Sequence, residues 1–313
     1  MFQEKKLNSI FLTGGTGFFG KSILSMVKRG FYRDCSFTIL ARQPGKFLEE
    51  NPFFKELANV KFVQGDVRDF PFPVEKFDYI FHGAAPARLM PPGVEEDIIL
   101  NGTRRVLQFA EVCNAKRLLF VSSGAVYGPQ DPAVEKIPED FPCSPVTEYG
   151  IAKYKAEKMC LDSGVESVIA RCFAFTGPYL NREIHFAIGN FIRDCLAEKD
   201  IEIKGDGTPL RSYLYADDLV EWLFTILFEA PGGEIYNVGS DQALSILELA
   251  ETVRSVLQTK NEIIIRQKAV EKKAPERYIP CIDKIRTQLQ VSTPCSLQEA
   301  ILKTILQKDG TSI

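Results

Sequence analysis

Through the first half of the chain, short runs of apolar and β-branched residues alternate with longer stretches of helical period, separated by Gly, Pro, Asn and Asp. Uninterrupted apolar runs of four to eight residues suit strands buried on both faces, and their alternation with helices is the pattern of a parallel sheet wound on both sides. The runs predict strands over residues 9–13, 36–41, 60–64, 79–81 and 117–122, with helices over 18–29 and 94–114. Residues 129–145 are proline-rich and aperiodic, which predicts a long loop of the kind that more often carries function than not. A helix over 146–162 and a strand over 165–171 then complete the predicted sheet. Beyond Gly177 the elements shorten and Gly and Pro interrupt them, so helices such as 217–229 and 246–257 read as parts of a smaller lobe. The fold class this implies is α/β, a Rossmann-type doubly wound parallel sheet over residues 1–175 that binds a dinucleotide. A smaller C-terminal substrate-binding lobe is built mainly from 176–313.

The turn after the first strand, Thr13-Gly14-Gly15-Thr16-Gly17-Phe18-Phe19-Gly20, carries the first chemistry. Its glycines allow a sharp turn, close approach to a pyrophosphate and packing of the helix on the sheet, while the free N–H groups of the helix start bind the anion. Gly14, Gly17, Phe18, Phe19 and Gly20 are the contacts expected from this segment. Such a string alone also fits a plain tight turn; its place between a strand and a helix favours the dinucleotide. The second strand ends in Leu40-Ala41-Arg42 and offers no carboxylate to a ribose, whereas the Arg42 guanidinium suits a 2′-phosphate. NADP is therefore expected over NAD. After the third strand, Asp66 and Val67 are expected at the adenine.

In Tyr149-Gly150-Ile151-Ala152-Lys153, the tyrosine and lysine stand four apart and share a helix face. An ammonium beside a phenol favours the phenolate, and so moves the tyrosine toward proton transfer near neutrality. Four-apart Tyr and Lys commonly mark a solvated face; here they follow Ser122-Ser123-Gly124-Ala125 at the end of a predicted sheet strand, where open α/β sheets collect ligands. Ser123, Tyr149 and Lys153 are the expected catalytic set.

On these motifs the chain resembles an extended short-chain dehydrogenase/reductase of the nucleotide-sugar epimerase, dehydratase and 4-ketoreductase group. The resemblance also rests on Gly65-Asp66, His82-Gly83-Ala84-Ala85, Arg171 and Gly177-Pro178, and runs over nearly the whole chain. It implies a nicotinamide cofactor that Ala84 and Lys153 help to hold. It also implies a nucleoside diphosphate sugar substrate, held through Asn190-Phe191, Arg211-Ser212-Tyr213-Leu214-Tyr215-Ala216-Asp217-Asp218 and Arg277-Tyr278. By that resemblance Asn190, Arg211 and Arg277 bind substrate, the two arginines gripping the diphosphate; either arginine equally suits a structural ion pair.

Departures from the family pattern narrow the reaction. Its dehydratases and decarboxylases carry acidic residues directly after the catalytic hydroxyl, where this chain has Gly124 and Ala125; Ala174 and Ile99 stand where many members have asparagine. Reduction of a 4-keto sugar and 4-epimerisation with a retained NAD remain, with the missing carboxylate after the second strand tipping toward reduction. A reading of another class, an idle NADP-binding sensor that recruits a protein, leaves the catalytic set without a purpose.

Composition trims the partners. With 38 Lys and Arg against 41 Asp and Glu there is no basic field for nucleic acid, and the 45% hydrophobic content of 313 residues supports a large core. Eight cysteines without CxxC spacing read as packed thiols, no metal set is visible, and neither a leader nor a membrane span is apparent near Met1 or beyond. A cytoplasmic enzyme is expected, with a homodimer as the assembly allowed for.

Overall fold

The computed structural model describes residues 8–86, 90–183, 186–269, 274–292 and 294–306. Residues 1–7, read above for a leader, lie outside them. The first half runs β1 (Asn8–Thr13), α1 (Phe18–Lys28), β2 (Cys35–Ala41), α2 (Pro44–Glu50), β3 (Val60–Gln64), β4 (Tyr79–His82), α3 (Val94–Cys113), β5 (Arg117–Ser123), α4 (Glu148–Leu161) and β6 (Ser167–Cys172). The second continues with β7 (Phe175–Thr176), α5 (Ala187–Leu196), β8 (Ile201–Ile203), β9 (Leu210–Arg211), β10 (Leu214–Tyr215), α6 (Ala216–Glu229) and β11 (Ile235–Val238). It ends with β12 (Leu244–Ser245), α7 (Ile246–Val256), β13 (Ile263–Ile265), β14 (Arg277–Tyr278), α8 (Asp283–Leu289) and α9 (Leu297–Leu306).

The main sheet has the order β11-β6-β5-β4-β1-β2-β3. Every pairing from β3 across to β6 is parallel. This is the Rossmann-type architecture read from the sequence, with one correction. The sheet is not complete at β6, because β11 returns from late in the chain to extend it. Its run Ile-Tyr-Asn-Val is short and broken by Asn237, so apolar periodicity alone does not mark it as a strand.

The chain forms two compact units, one of residues 1–128, 143–172 and 220–236, the other of 129–142, 173–219 and 237–313. In the first, Phe11 of β1 sits at the centre of an aromatic cluster, with ring centroids 5.4 Å from Phe70, 5.4 Å from Phe77 and 4.8 Å from Phe109. Helix α3 presents Val106, Phe109, Ala110 and Cys113 to that cluster at helical spacing. Its first turn holds Glu95, Glu96 and Asp97, which suit the positive end of the helix dipole, and it stops at Asn114 in the left-handed conformation, φ 53°.

The second unit has its own core of Ile188, Phe191 and Ile192 from α5, Ile201 and Ile203 from β8, and Leu249 and Val253 from α7. The first part of the proline-rich loop belongs to it and is tied down. Ile137 N donates to Ile279 O at 2.8 Å, Cys281 N to Ile137 O at 2.8 Å, and Asn237 Nδ2 to Ile137 O at 2.8 Å. Ile279 N donates to Gln130 Oε1 at 3.0 Å, so a segment without periodicity is nonetheless fixed by hydrogen bonds.

Phe109 is fully buried and touches Phe11, Phe70, Phe72 and Phe77. Phe109→Ala is expected to cost roughly 3–5 kcal/mol in a denaturant melt, the range for emptying a buried aromatic site. A loss below about 1 kcal/mol would mean the cluster collapses into the space without resistance.

Candidate active site

In a sheet of this order, β1 and β4 are neighbours whose following segments leave in opposite directions, and the crevice at their carboxyl ends is where such folds bind ligands. The Gly-rich turn leaves β1 there. Gly14 has φ +81°, and a Cβ on it would lie 2.5 Å from the backbone C and O of Gly83 in the segment after β4. Only glycine lets these two loops touch. Gly17 differs, because a Cβ there would meet nothing closer than Gly14 O at 3.5 Å and its φ is −87°. The protein's own packing does not require a glycine at 17, so what it leaves open is approach from outside. Helix α1 then starts with no side-chain cap and no acidic residue in its first turn, so the positive end of its dipole is not offset by a carboxylate of its own. A dinucleotide pyrophosphate fits this cradle. Phe18 and Phe19 follow, edge to face with centroids 5.8 Å apart.

A buried hydrogen-bonded chain locks the two loops. Thr103 Oγ1 donates to Ile99 O at 2.7 Å and therefore accepts from His82 Nε2 at 3.1 Å. His82 Nδ1 is then the acceptor for Thr13 Oγ1 at 2.8 Å, which in turn accepts from Ala84 N at 3.2 Å. Burial, reinforced by the Lys153 charge, pushes His82 down to about 3, so the ring stays neutral and this one tautomer satisfies every partner.

At the end of β2, Arg42 is exposed, and its charge reaches Asp66. Hydrogen bonds from Arg68 hold the Asp66 carboxyl below the usual range: Arg68 Nε donates at 2.8 Å, its backbone N at 3.1 Å and Nη2 at 3.1 Å, while Nη1 reaches Asp97 Oδ2 at 2.7 Å. Asp66 is thus already engaged on one side. Val67 packs under α3, where a Cβ on Gly102 would stand 2.9 Å from it.

Ser123, Tyr149 and Lys153 come together at the end of β5. Ser123 caps a short 3-10 turn over Gly124–Tyr127 and accepts from Ala125 N at 3.2 Å, which leaves its own proton to donate; its hydroxyl lies near enough to Tyr149 to favour the phenolate. Thr147 caps α4 through Gly150 N at 3.0 Å. Gly150 lets α4 press against that turn, since a Cβ there would lie 2.7 Å from Ala125 O. Lys153 is buried, donates to Val121 O at 2.8 Å, and sits 4.7 Å over the Phe120 ring and 5.8 Å from that of Tyr149.

Burial governs the charges. It pushes Lys153 down to about 8 and Tyr149 up to about 12, against the pull of the Ser123 hydroxyl. The expectation that the neighbouring ammonium brings the phenol toward neutrality therefore does not describe this matrix, in which desolvation exceeds any nearby charge and Tyr149 keeps its proton. Sequence reading also passed over Glu95, whose charge reaches Tyr149, the buried Cys172 thiol, and the Val121 carbonyl that anchors Lys153. None carries a motif, and a backbone acceptor has no signature in side-chain identity.

The remaining candidates lie in the second unit. Arg211 on β9 and Arg277 on β14 are on adjacent strands, and Arg277 pairs with Leu210 while Arg211 pairs with Tyr278. The two arginines are therefore one residue out of register. Arg211 Nη1 donates to Leu210 O at 2.8 Å and Nη2 approaches Glu276 at 3.8 Å. Asn190 is partly buried on α5.

Comparison with known proteins gives four further findings. The profile of the family described as NAD dependent epimerase/dehydratase matches residues 10–239. UDP-glucuronic acid decarboxylase 1 of Danio rerio is 29% identical over 321 residues, spanning 96% of this chain and 73% of that relative. Among solved structures, UDP-N-acetylglucosamine 4-epimerase of Methanobrevibacter ruminantium M1 superposes with a TM-score of 0.82 at 22% identity, covering 96% and 97% of the two chains. UDP-glucuronic acid 4-epimerase of Bacillus cereus, solved with UDP-glucuronic acid and NAD, gives 0.81 at 20% identity over 95% and 97%. At these identities the solved structures speak for the fold.

Because Gly17 has room for a methyl group within the protein, Gly17→Ala is expected to leave the melting temperature unaltered while weakening dinucleotide binding at least tenfold by fluorescence titration. Undiminished affinity would remove the cradle.

Proposed function

The chain belongs to the NAD dependent epimerase/dehydratase family, and we propose that it reduces a 4-keto group on a nucleoside diphosphate sugar, with NADP as its dinucleotide. The observation that carries this reading is the convergence of Ser123, Tyr149 and Lys153 on one strand end, with Gly124 and Ala125 in place of carboxylates after the serine. Elimination or decarboxylation calls for an acid or base beyond the tyrosine, and the residues following Ser123 provide none. This sets the reading apart from the decarboxylase to which the chain is similar.

A dinucleotide held at the Gly14–Gly20 turn would supply the hydride. As negative charge grows on the carbonyl oxygen, the Tyr149 hydroxyl gives up its proton to it, and the protonated state favoured by burial is the form that this step needs. Ser123, which accepts from Ala125 N, donates its own proton to the same oxygen. Lys153, fixed on Val121 O, stabilises the tyrosinate left behind. Asn190, Arg211 and Arg277 hold the nucleotide part of the substrate, the guanidinium forks suiting a diphosphate. Asp66 and Val67 would hold the adenine, and Ala84 would help to hold the dinucleotide. Arg42, exposed at the end of β2 where no carboxylate stands, takes the 2′-phosphate.

A second reading, 4-epimerisation with a retained NAD, draws on the NAD dependence of the family and on the same glycine and alanine after the serine. The two part in one experiment. Loss of NADPH absorbance with 4-keto-6-deoxy nucleotide sugars supports reduction; interconversion of 4-epimers without net absorbance change, with NAD released on denaturation, supports epimerisation. Binding without turnover in either assay supports the sensor.

Arg42→Ala is expected to weaken NADPH by about 1.5–3 kcal/mol, as for a charge-assisted hydrogen bond, and to leave NADH nearly unaffected. Equal losses, or tighter NADH in the parent, would transfer the assignment to NAD. Tyr149→Phe, which keeps the ring and loses the proton, is expected to lower turnover about 10²–10⁴-fold with cofactor affinity retained. Near-parental turnover in the folded variant would remove Tyr149 from the chemistry.

A further inference from the structure

Three residues of α4 spaced by single turns, Tyr149, Lys153 and Glu157, each face one of the three closing residues of β5. Tyr149 meets the Ser123 hydroxyl, Lys153 donates to Val121 O at 2.8 Å, and Glu157 Oε1 accepts from Ser122 Oγ at 2.5 Å. The third rung has no place in the reaction described above. Glu157 is 1% exposed and Arg171 of β6 4% exposed. Arg171 Nη2 donates to Glu157 Oε2 at 2.8 Å and its Nε to Oε1 at 3.1 Å, and the guanidinium lies 4.7 Å over the Tyr127 ring. A carboxylate taken out of water is costly, and one in this position is tolerated because three donors converge on it.

We propose that Glu157 is a positioning residue of the active site, which fixes the register of α4 on β5 and keeps the Lys153 side chain in its charged form. The inference uses the role given to Lys153 in the proposed reaction, although its first effect is on Lys153 itself. Lys153 is enclosed by Phe120 of β5, by His82 of β4, by Cys172 of β6, and by Tyr149, Glu157 and Cys160 of its own helix, with Arg171 of β6 paired to Glu157. Burial raises the two thiols and holds the tyrosine protonated, so none of these supplies a negative charge near neutrality; burial also holds His82 neutral. Glu157 is the carboxylate among them. Its charge favours the ammonium in a pocket whose desolvation disfavours it. Arg171 and Ser122 aim that charge and keep it from being an unpaired buried ion.

The test follows the Lys153 Nζ resonance through a pH titration of lysine-labelled protein, assigned by its loss in Lys153→Arg. In the parent the midpoint is expected near 8. Glu157→Gln should lower it by about one unit, the lower end of what a nearby opposite charge provides, and Glu157→Asp should restore most of the difference. Should Glu157→Gln fail to fold because Arg171 is left unpaired, Glu157→Gln with Arg171→Gln is read against Arg171→Gln alone, so that both lack the guanidinium and differ only in the carboxylate; the double variant should titrate lower. A midpoint unmoved in whichever of these folds overturns the proposal. The alkaline limb of the turnover profile should travel with the midpoint. A moved midpoint with an unmoved limb would sustain the role of Glu157 and instead remove Lys153 from the proposed reaction.

Discussion

The hydrogen bond from the Lys153 ammonium to the Val121 carbonyl is the constraint on which the site depends. It fastens the middle of α4 to the last buried turn of β5 and thereby fixes where Tyr149, one turn earlier, stands against Ser123. The approach is possible because Gly150 has no side chain to strike Ala125 O, and it starts in place because Thr147 caps the helix. Ala152 and Ala156 on the same helix are fully buried and join the cluster around Phe109, so the apolar and polar faces of α4 seat together.

Much of this was legible in the sequence because periodicity and punctuation agree with the fold. The apolar runs of β1 to β5 are short and uninterrupted, the Gly-rich turn lies between a strand and a helix, and a Tyr and Lys four apart must share a face. What escaped reading has a common cause. The strand Ile235–Val238 joins a sheet whose other strands lie far back in the chain. The proline-rich loop is ordered by partners near residues 237 and 279–281. Neither relation leaves a local trace.

The electrostatics teach the same lesson in another form. Spacing alone places an ammonium beside a phenol and suggests mutual stabilisation of charge; depth, which spacing does not report, decides the outcome for both. Tyr149 and Lys153 are each moved toward their neutral forms. A pocket of this kind holds its proton until a reacting oxygen arrives to share it. The neutral tautomer of His82 belongs to the same regime, since a charged ring would leave Thr13 with two donors facing it and no acceptor for its own proton.

The late arrival of β11 bears on how the protein is made. A ribosome adding about 5–20 residues per second exposes β6 some seconds before Ile235–Val238 can emerge to cover it. During that interval the nascent sheet ends in Ser-Val-Ile-Ala-Arg-Cys, an apolar strand with an unpaired row of backbone donors and acceptors. Synthesis therefore passes through a stage in which the edge next to the reactive strand is the surface most open to wrong pairing. Chaperone demand and yield on expression should depend on how fast the stretch between β6 and β11 is translated.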